Sequence, residues 1–146
     1  MGRGAPEIQC VFNVLGRCAF GEVYSGQGCN SLPIAVKVFP IDSQDEAESE
    51  VRRHAALPSH PHIIKLLDVD VMLRAEKPAS FALIYEQYDT DLRQCLLKGP
   101  LHTAAQRHVL RSVLAALAFM HEAGLVHADL KPANVLVRGA GRFKGT

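Results

Sequence analysis

The sequence contains few cysteines, and none of them forms a C-x-x-C pair. Cys10, Cys18, Cys29 and Cys95 are scattered along a 146-residue chain, which excludes zinc ribbons and thioredoxin-type redox sites. Apolar residues make up 48% of the chain, which is enough for a packed core, so a disulfide scaffold is not expected. We expect all four cysteines to be reduced thiols.

The sequence also lacks a strong charge of either sign and a long apolar run. Sixteen basic and 15 acidic residues give a net charge of +1, so neither nucleic acid nor a membrane is expected as a partner. The longest apolar run, residues 113–120, is shorter than the ~18 residues of a membrane span. Residues 1–6 have no apolar core of a signal peptide. We expect an intracellular protein, cytoplasmic or nuclear, of one domain at most.

The first part of the chain predicts a β-rich region with one helix. Short β-branched and aromatic runs are separated by glycine-bearing turns at residues 16–21 and 26–30, which is typical of an antiparallel meander. Ser43 and Glu46 form a candidate capping box at the start of the helix, and Pro58 ends it. The predicted elements are strands over residues 7–15, 22–25, 32–39, 63–72 and 81–85 and a helix over residues 43–57.

The rest of the chain predicts helices. Apolar residues at helical spacing indicate a short helix near residues 92–97 and a long one over 103–123, followed by Gly124 as a C-terminal cap. A short strand over 134–137 follows a polar loop. A β-rich half (residues 1–86) therefore precedes a helical half (91–146), with a narrow connection at 87–90.

Two segments of the β-rich half contain candidate phosphate-binding groups. The glycines of segment 16–23 would let the backbone approach phosphate oxygens, but an ordinary hairpin turn also favours glycine. Lys37 lies inside an apolar strand, on the same face as Ala35. A buried ammonium group needs an anion, and Glu50 on the next helix is the best placed carboxylate; at a sheet edge the lysine would instead reach water.

The most informative segment is residues 126–137, Val-His-Ala-Asp-Leu-Lys-Pro-Ala-Asn-Val-Leu-Val. It places Asp129, Lys131 and Asn134 in one loop between a long helix and a short strand. An aspartate can accept a hydroxyl proton, a lysine can neutralise a phosphoryl group, and an asparagine oxygen can bind a hard cation. Together with the two earlier segments, in this order, the loop favours phosphoryl-transfer chemistry over a solvated turn.

These three segments resemble the glycine-rich loop, the V-A-I-K strand and the H-R-D-L-K-P-x-N catalytic loop of eukaryotic protein kinases. The resemblance covers almost the whole chain. It implies an α+β, protein-kinase-like fold, with a five-stranded antiparallel N-lobe sheet and one helix, then the first helices and catalytic loop of a mainly helical C-lobe. It also implies an N-terminal extension (1–8) and an incomplete kinase domain (9–146), with an N-lobe to residue 86, a hinge at 87–90 and a C-lobe from residue 91.

The resemblance implies ATP and Mg²⁺ as cofactors and assigns roles to the candidate residues. Lys37 would hold the α- and β-phosphates and pair with Glu50. Asp129 would orient and deprotonate the substrate hydroxyl, Lys131 would contact the γ-phosphate, and Asn134 would bind Mg²⁺. The other implied nucleotide-binding positions are Leu15, Gly16, Arg17, Cys18, Ala19, Phe20, Gly21, Val23, Ala35, Tyr85 (the gatekeeper), Glu86, Gln87, Tyr88, Asp91 and Leu136.

The resemblance also implies a subgroup and partners. Lys131 directly before Pro132 is typical of Ser/Thr kinases, which act on protein substrates. Segments 88–94 and 130–135 resemble cyclin-dependent and related kinases. A regulatory protein partner on the helix 43–57 is a further expectation, although that helix has nothing like a cyclin-binding signature.

Four departures from the kinase pattern modify these expectations. Cys18 replaces the second loop glycine, which should weaken nucleotide binding. Ala128 replaces the arginine that holds a phosphorylated activation segment, so activity should not depend on that phosphate. His54 lies one turn after Glu50, where an apolar residue is usual, so either Glu46 is the partner of Lys37 or this contact is polar. The 146 residues contain no D-F-G, so we expect little or no turnover from this polypeptide, and an exposed apolar face on the long helix.

Three functional hypotheses follow. The first is a Ser/Thr protein kinase domain, favoured by the joint presence of Lys37, Asp129, Lys131 and Asn134. The alternative is a non-catalytic kinase-like module that binds ATP or a partner protein as a scaffold. Cys18, Ala128 and the missing D-F-G favour this alternative. The third is a product without function.

Overall fold

The computed structural model describes residues 8–18, 21–74 and 77–139, which form two compact units. The first unit contains the described residues up to Pro58 together with Ile64–Gln87. The second contains Ser59–Ile63 and the described residues from Tyr88 onward. The predicted N-terminal extension lies, except for Ile8, outside the described residues.

The first unit is built on a five-stranded antiparallel sheet, as predicted. Its strands are β1 Ile8–Cys18, β2 Gly21–Gly28, β3 Pro33–Pro40, β4 Leu66–Arg74 and β5 Lys77–Glu86. Their order is β1-β2-β3-β5-β4. Short connections join β1 to β2, β2 to β3 and β4 to β5, whereas the longer connection containing the helix separates β3 from β4. As a result β5 pairs with β3, and β4 lies at the edge of the sheet beyond β5.

The central strands β3 and β5 separate two buried layers because successive side chains point to opposite faces of a sheet. Ile34, Val36, Ala82 and Ile84 form one layer, each at most 1% exposed. Phe39, Leu83 and Tyr85 form the other, together with Ala47 of the helix. Ala35 pairs with Tyr85 and Lys37 with Leu83, which puts the Lys37 side chain on the helix-covered face.

The helix α1 spans Gln44–Ala55. Its acidic first turn and basic last turn, including Asp45, Glu46, Arg52 and Arg53, are as predicted. The predicted capping box at Ser43 is wrong, because the Ser43 side chain accepts no hydrogen bond from the helix. A 3₁₀ turn (Ile41–Ser43) leads into α1 and gives Ser43 φ −107° and ψ 31°, whereas a capping side chain needs an extended backbone at that residue.

Several predicted strand boundaries differ from the structure. Residues 26–28, predicted as part of a turn, continue β2, where Gly26 pairs with Ile34. Gly16 and Arg17, predicted as a turn, continue β1 opposite Val23 and Glu22. The strand predicted from residue 63 begins at Leu66, because the Ile63 N–H donates to the carbonyl of His60 in a turn. The predicted break at Lys77–Pro78 belongs to β5, where Lys77 pairs with Arg74.

The second unit contains two helices and a two-stranded sheet. The helices are α2 Leu92–Leu97 and α3 Thr103–Glu122, and the sheet pairs β6 Thr90–Asp91 with β7 Leu136–Val137. Both helices are as predicted, whereas β6 was not. The strand predicted from residue 134 begins two residues later, because Pro132–Asn134 forms a 3₁₀ turn.

Residues 59–63 join the second unit because the His60 ring stacks on Phe119 of α3, with ring centroids 4.7 Å apart. On the same helix, Leu110 and Leu114 are each 62% exposed, consistent with the predicted exposed apolar face. Across the described part of the chain, no helix has both the length and the apolarity that a membrane crossing requires.

Candidate functional site

The first unit brings Lys37, Glu50 and Tyr85 together. The Lys37 ammonium group lies 2.5 Å from Oε2 of Glu50, and the Tyr85 hydroxyl donates to Oε1 at 2.5 Å. The Lys37 and Glu50 side chains are each 21% exposed. Glu50, not Glu46, is therefore the partner of Lys37, and both carboxylate oxygens accept a hydrogen bond.

Sheet register and helix packing position this cluster. Lys37 is surrounded by apolar neighbours on β3, and its ammonium group also lies over the Phe39 ring, 4.7 Å from the centroid. Ala47 and Val51 pack α1 on the sheet, and Glu50 lies three residues after Ala47. Because residues three and four apart share one face of a helix, the apolar contact of Ala47 directs Glu50 toward β3.

Burial controls the titration of two aromatic side chains in this cluster. Burial raises the pKa of Tyr85 far above its ordinary value of 10, and the neighbouring Glu50 carboxylate raises it further. Burial also lowers the pKa of His54, although the attraction of Glu50 acts in the opposite direction. The His54 and Tyr85 rings pack with centroids 5.4 Å apart. His54, which stands where kinases usually have an apolar residue, therefore packs on the Tyr85 ring. Both rings are uncharged at neutral pH.

Gly21 and Gly16 of the glycine-rich hairpin have different structural surroundings, so different causes explain the glycine at each position. A Cβ atom at Gly21 would lie 2.1 Å from the carbonyl oxygen of Val38, so the close approach of β2 to β3 requires glycine there. A Cβ atom at Gly16 would have no neighbour within 4 Å among the described residues. Packing does not account for Gly16, and the open space beside its backbone fits the approach of a ligand.

The other predicted nucleotide-binding residues of the hairpin and β3 whose side chains the structure describes are exposed or half-buried. Arg17 forms an ion pair with Glu22 at 2.9 Å, and Leu15 is 50% exposed. Val23 and Ala35 are half-buried in the sheet. Ala19, Phe20 and the Cys18 side chain lie outside the described residues.

The loop of the second unit brings together Asp129, Lys131 and Asn134. Lys131 Nζ lies 2.8 Å from Oδ2 of Asp129, and Asn134 Nδ2 donates to the same oxygen at 3.1 Å and to the Asp129 carbonyl at 2.8 Å. The Asp129 side chain is 66% exposed. The Lys131 hydrogen bond is the main reason why the pKa of Asp129 is lowered. The carboxylate is therefore ionised and oriented at neutral pH.

The backbone of this loop is bent sharply at Ala128. The Asp129 N–H donates to the carbonyl of His127 at 2.8 Å, and Ala128 between them has φ +60°. This is a three-residue γ-turn with a positive φ at its centre, a rare and strained conformation for a residue with a Cβ atom. The sequence shows only that alanine stands here; the strained backbone was missed.

The predicted hinge region includes structural contacts that sequence analysis did not anticipate. Asp91, predicted to reach a ribose, accepts a hydrogen bond from the Gln94 N–H at 2.9 Å and caps α2. The Tyr88 ring lies under the Arg138 guanidinium at 4.6 Å. Leu136 is 43% exposed on β7, Glu86 ends β5, and Gln87 is half-buried after it.

The donor chemistry of both residue sets fits Mg²⁺ and a triphosphate. Lys37 supplies an ammonium group for phosphate oxygens. In the second unit, Asn134 uses its amide nitrogen on Asp129, which leaves its amide oxygen without a donor among the described residues, and oxygen ligands suit Mg²⁺. Within the described ranges, no three His, Cys, Asp or Glu side chains cluster as metal ligands.

Sequence analysis missed the contact of the Tyr85 hydroxyl with Glu50. A signal was present, since Tyr85 ends the otherwise apolar run 81–84, and a buried tyrosine hydroxyl usually finds a hydrogen-bond partner. The identity of that partner depends on the packing of α1, 35 residues away in the sequence.

Comparison with known proteins gives one family match and several relatives. The sequence profile described as "Protein kinase domain" matches residues 10–145. Cyclin-dependent kinase 4 of Xenopus laevis is 31% identical, over 89% of this chain and 44% of that protein. Cyclin-dependent kinase 4 of Mus musculus is 36% identical (89% and 48%), and the Caenorhabditis elegans homolog is 32% identical (90% and 35%). The chain spans half or less of the length of these relatives.

Proposed function

Because this chain belongs to the protein kinase family, we propose that it is part of a Ser/Thr protein kinase that transfers a phosphoryl group from ATP to a protein hydroxyl. The observation that carries this proposal is the half-buried Lys37–Glu50 ion pair on the helix-covered face of the sheet. Burying the Lys37 ammonium group is unfavourable unless its charge is compensated, here by Glu50. Phosphate binding requires a positive charge that is already in position.

The proposed roles follow from the chemistry of each side chain. Lys37 would bind phosphate oxygens, and Gly16 would allow the backbone to approach them. Asp129, held ionised by Lys131, would accept the substrate hydroxyl's hydrogen bond and its proton. Lys131 would neutralise phosphoryl charge, and Asn134 would hold Mg²⁺ through its amide oxygen. Mg–ATP, when bound, supplies the phosphoryl group and the cation that neutralises it.

The substrate class and partner are finer parts of this proposal. Lys131 before Pro132 supports a protein Ser/Thr hydroxyl as acceptor. The names of the relatives support a cyclin-like regulatory protein, and the exposed side of α1, which includes Glu48 and Arg52, is the proposed surface for it. An intracellular location remains a prediction from the sequence.

Mg–ATP binding to the full 146-residue chain, measured by calorimetry, tests the proposal. We expect binding that Lys37→Met weakens about tenfold or more, since a hydrogen bond to a charged group contributes ~1.5–3 kcal/mol. The matched control is Lys65→Met, which removes an exposed lysine of the same unit and should leave the affinity unchanged. Absence of binding, or equal losses in both variants, would reject the proposal.

A separate variant tests whether the second unit takes part in Mg–ATP binding. Asn134→Ala should weaken binding of ATP in the presence of Mg²⁺ and have no effect in its absence, because its proposed ligand is the cation. Since the 146 residues contain no D-F-G, we expect binding without measurable phosphoryl transfer. If a chain extended through a D-F-G binds Mg–ATP and still transfers nothing, the non-catalytic scaffold function is the better one.

A further inference from the structure

We propose that Tyr85 is a positioning residue that holds the Glu50 carboxylate, and through it α1, in the geometry that pairs with Lys37. The contact between Tyr85 and Glu50 is observed directly. Its importance for nucleotide binding rests on the function proposed above. The inference is that the Lys37–Glu50 pair is held from the side of β5, in addition to the packing of α1.

The first support is that both oxygens of the Glu50 carboxylate accept a hydrogen bond. Oε2 accepts from Lys37 on β3, and Oε1 accepts from Tyr85 on β5. A carboxylate bound through one oxygen can rotate about its terminal bond, whereas one held through both oxygens by two elements cannot do so without losing a hydrogen bond. The two contacts therefore fix the orientation of Glu50 as well as its distance from Lys37.

The second support is the rigidity of the groups that make these contacts. Tyr85 is only 6% exposed and lies in the same buried layer as Leu83 and Phe39. Its backbone pairs with Ala35, two residues from Lys37 on the same face. The phenol and the ammonium group thus project from adjacent strands whose spacing is set by the sheet, and α1 must adapt to both.

The third support is chemical. The high pKa of Tyr85 keeps the phenol protonated, so it donates to Glu50 throughout the physiological pH range. His54, one turn after Glu50 on α1, packs on the same ring, and burial lowers its pKa. A neutral His54 adds no second positive charge to compete with Lys37 for Glu50. Tyr85 therefore contacts α1 twice, through its hydroxyl and through its ring.

A double-mutant cycle tests the proposal in the 146-residue chain. The variants are Tyr85→Phe, Glu50→Gln and the double variant, and the measurement is hydrogen exchange of the α1 amides (Gln44–Ala55) by mass spectrometry. We expect each single variant to accelerate α1 exchange about tenfold, as loss of a charge-assisted hydrogen bond implies. The double variant should exchange no faster than the faster single variant, because both changes remove the same charge-assisted hydrogen bond between Tyr85 and Glu50.

The matched control is Tyr24→Phe. Tyr24 also donates its hydroxyl to a glutamate at 2.5 Å, Oε2 of Glu22, in the same sheet. Its loss should leave α1 exchange at the wild-type rate. Unchanged α1 exchange in Tyr85→Phe, independent effects that multiply in the double variant, or equal acceleration by Tyr24→Phe would each overturn the proposal.

A second readout separates positioning from a general loss of stability. Tyr85→Phe should weaken Mg–ATP binding several-fold in the wild-type background and not at all in a Lys37→Met background, since Tyr85 acts through the pair that contains Lys37. A loss of the same size in both backgrounds would contradict a positioning role. If the wild-type chain binds no Mg–ATP, the proposed function fails, whereas the exchange experiment still decides whether Tyr85 holds Glu50.

Discussion

Lys37, Glu50 and Tyr85 come from three elements of the first unit and are largely buried, whereas Asp129, Lys131 and Asn134 lie within six residues of one exposed loop. The first set exists only if the sheet has its observed register and α1 packs on it. The second needs only a local turn. Substitutions in the first set should therefore affect folding and ligand binding together, whereas substitutions in the second should affect ligand binding or chemistry with little effect on folding.

The largest effect should come from breaking the sheet register at Gly21. In Gly21→Ala, the new Cβ atom would lie 2.1 Å from the Val38 carbonyl oxygen, so β2 and β3 must separate. We expect a loss of about 3 kcal/mol in the free energy of unfolding, the upper part of the range for overpacking. Because the chain has no tryptophan, urea unfolding followed by far-UV circular dichroism is the suitable measurement.

Gly16→Ala is the matched control for this prediction. Its Cβ atom would meet open space in the described structure, so the free energy of unfolding should change by less than about 0.5 kcal/mol. Mg–ATP affinity should nevertheless fall in this variant. Similar destabilisation by both alanines would contradict the distinction between a glycine required by strand packing and one that leaves space for a ligand.

The next effect compares a carboxylate from each set. Glu50→Gln removes the charge that compensates the half-buried Lys37 ammonium group and should destabilise the protein by about 1–2 kcal/mol. Asp129→Asn removes the charge of a carboxylate that is 66% exposed and should lower the urea midpoint much less. Equal destabilisation by the two variants would remove the distinction between a buried set and a local one.

The pH dependence of stability should also separate the two sets. The pKa of His54 is lowered in the folded state from 6.5, so the unfolded chain binds the proton more readily, and stability falls as the pH drops below about 6.5. The pKa of Asp129 is lowered from 3.8, so its contribution is present above that pH and is lost only in stronger acid.

Urea midpoints at pH 7.5, 6.0 and 5.0 check this difference. Wild type should become less stable over that series, and His54→Gln should show a smaller decrease because the substituted side chain does not titrate. Asp129→Asn should follow the wild-type series. A steeper decrease in His54→Gln than in wild type would show that burial of His54 has the opposite effect.

The smallest predicted effect concerns Ala128. Glycine at this position would relieve the strain of φ +60° but would also gain conformational entropy in the unfolded chain. We expect Ala128→Gly to stabilise the protein by a net ~0.5 kcal/mol, which should raise the melting temperature by roughly 1–2 °C. Ala133→Gly, at a residue of the same loop without a positive φ, should lower the melting temperature instead.

The sequence predicted what depends on residue type and spacing. The apolar surroundings of Lys37 required an anion, and Glu50 on the next helix was the best placed candidate, with Glu46 as the alternative. The structure places Lys37 and Glu50 in contact. The five strands, α2 and α3 followed from apolar periodicity. Asp129, Lys131 and Asn134 were predicted to act together, and they contact one another because they share a loop.

What depends on register or backbone geometry was not predictable. The clash at Gly21 exists only because Glu22 pairs with Val38, and the hydroxyl of Tyr85 reaches Glu50 only because Ala35 pairs with Tyr85. Ser43 has the side chain of a capping residue, but the preceding 3₁₀ turn gives it a backbone that cannot cap. Periodicity contains no information on which strands align or on such dihedral angles.

The pairing of β6 with β7 joins residues near the two ends of the described segment 88–139, since Thr90 lies opposite Val137 and Asp91 opposite Leu136. This strand pairing closes the intervening chain into a loop and holds the Asp129 loop next to the start of α2. Gly99 lies in the link between α2 and α3, eight residues after Asp91 ends β6. We expect insertions at Gly99 to lengthen the chain between β6 and β7 while their pairing, and with it the place of the Asp129 loop, is kept.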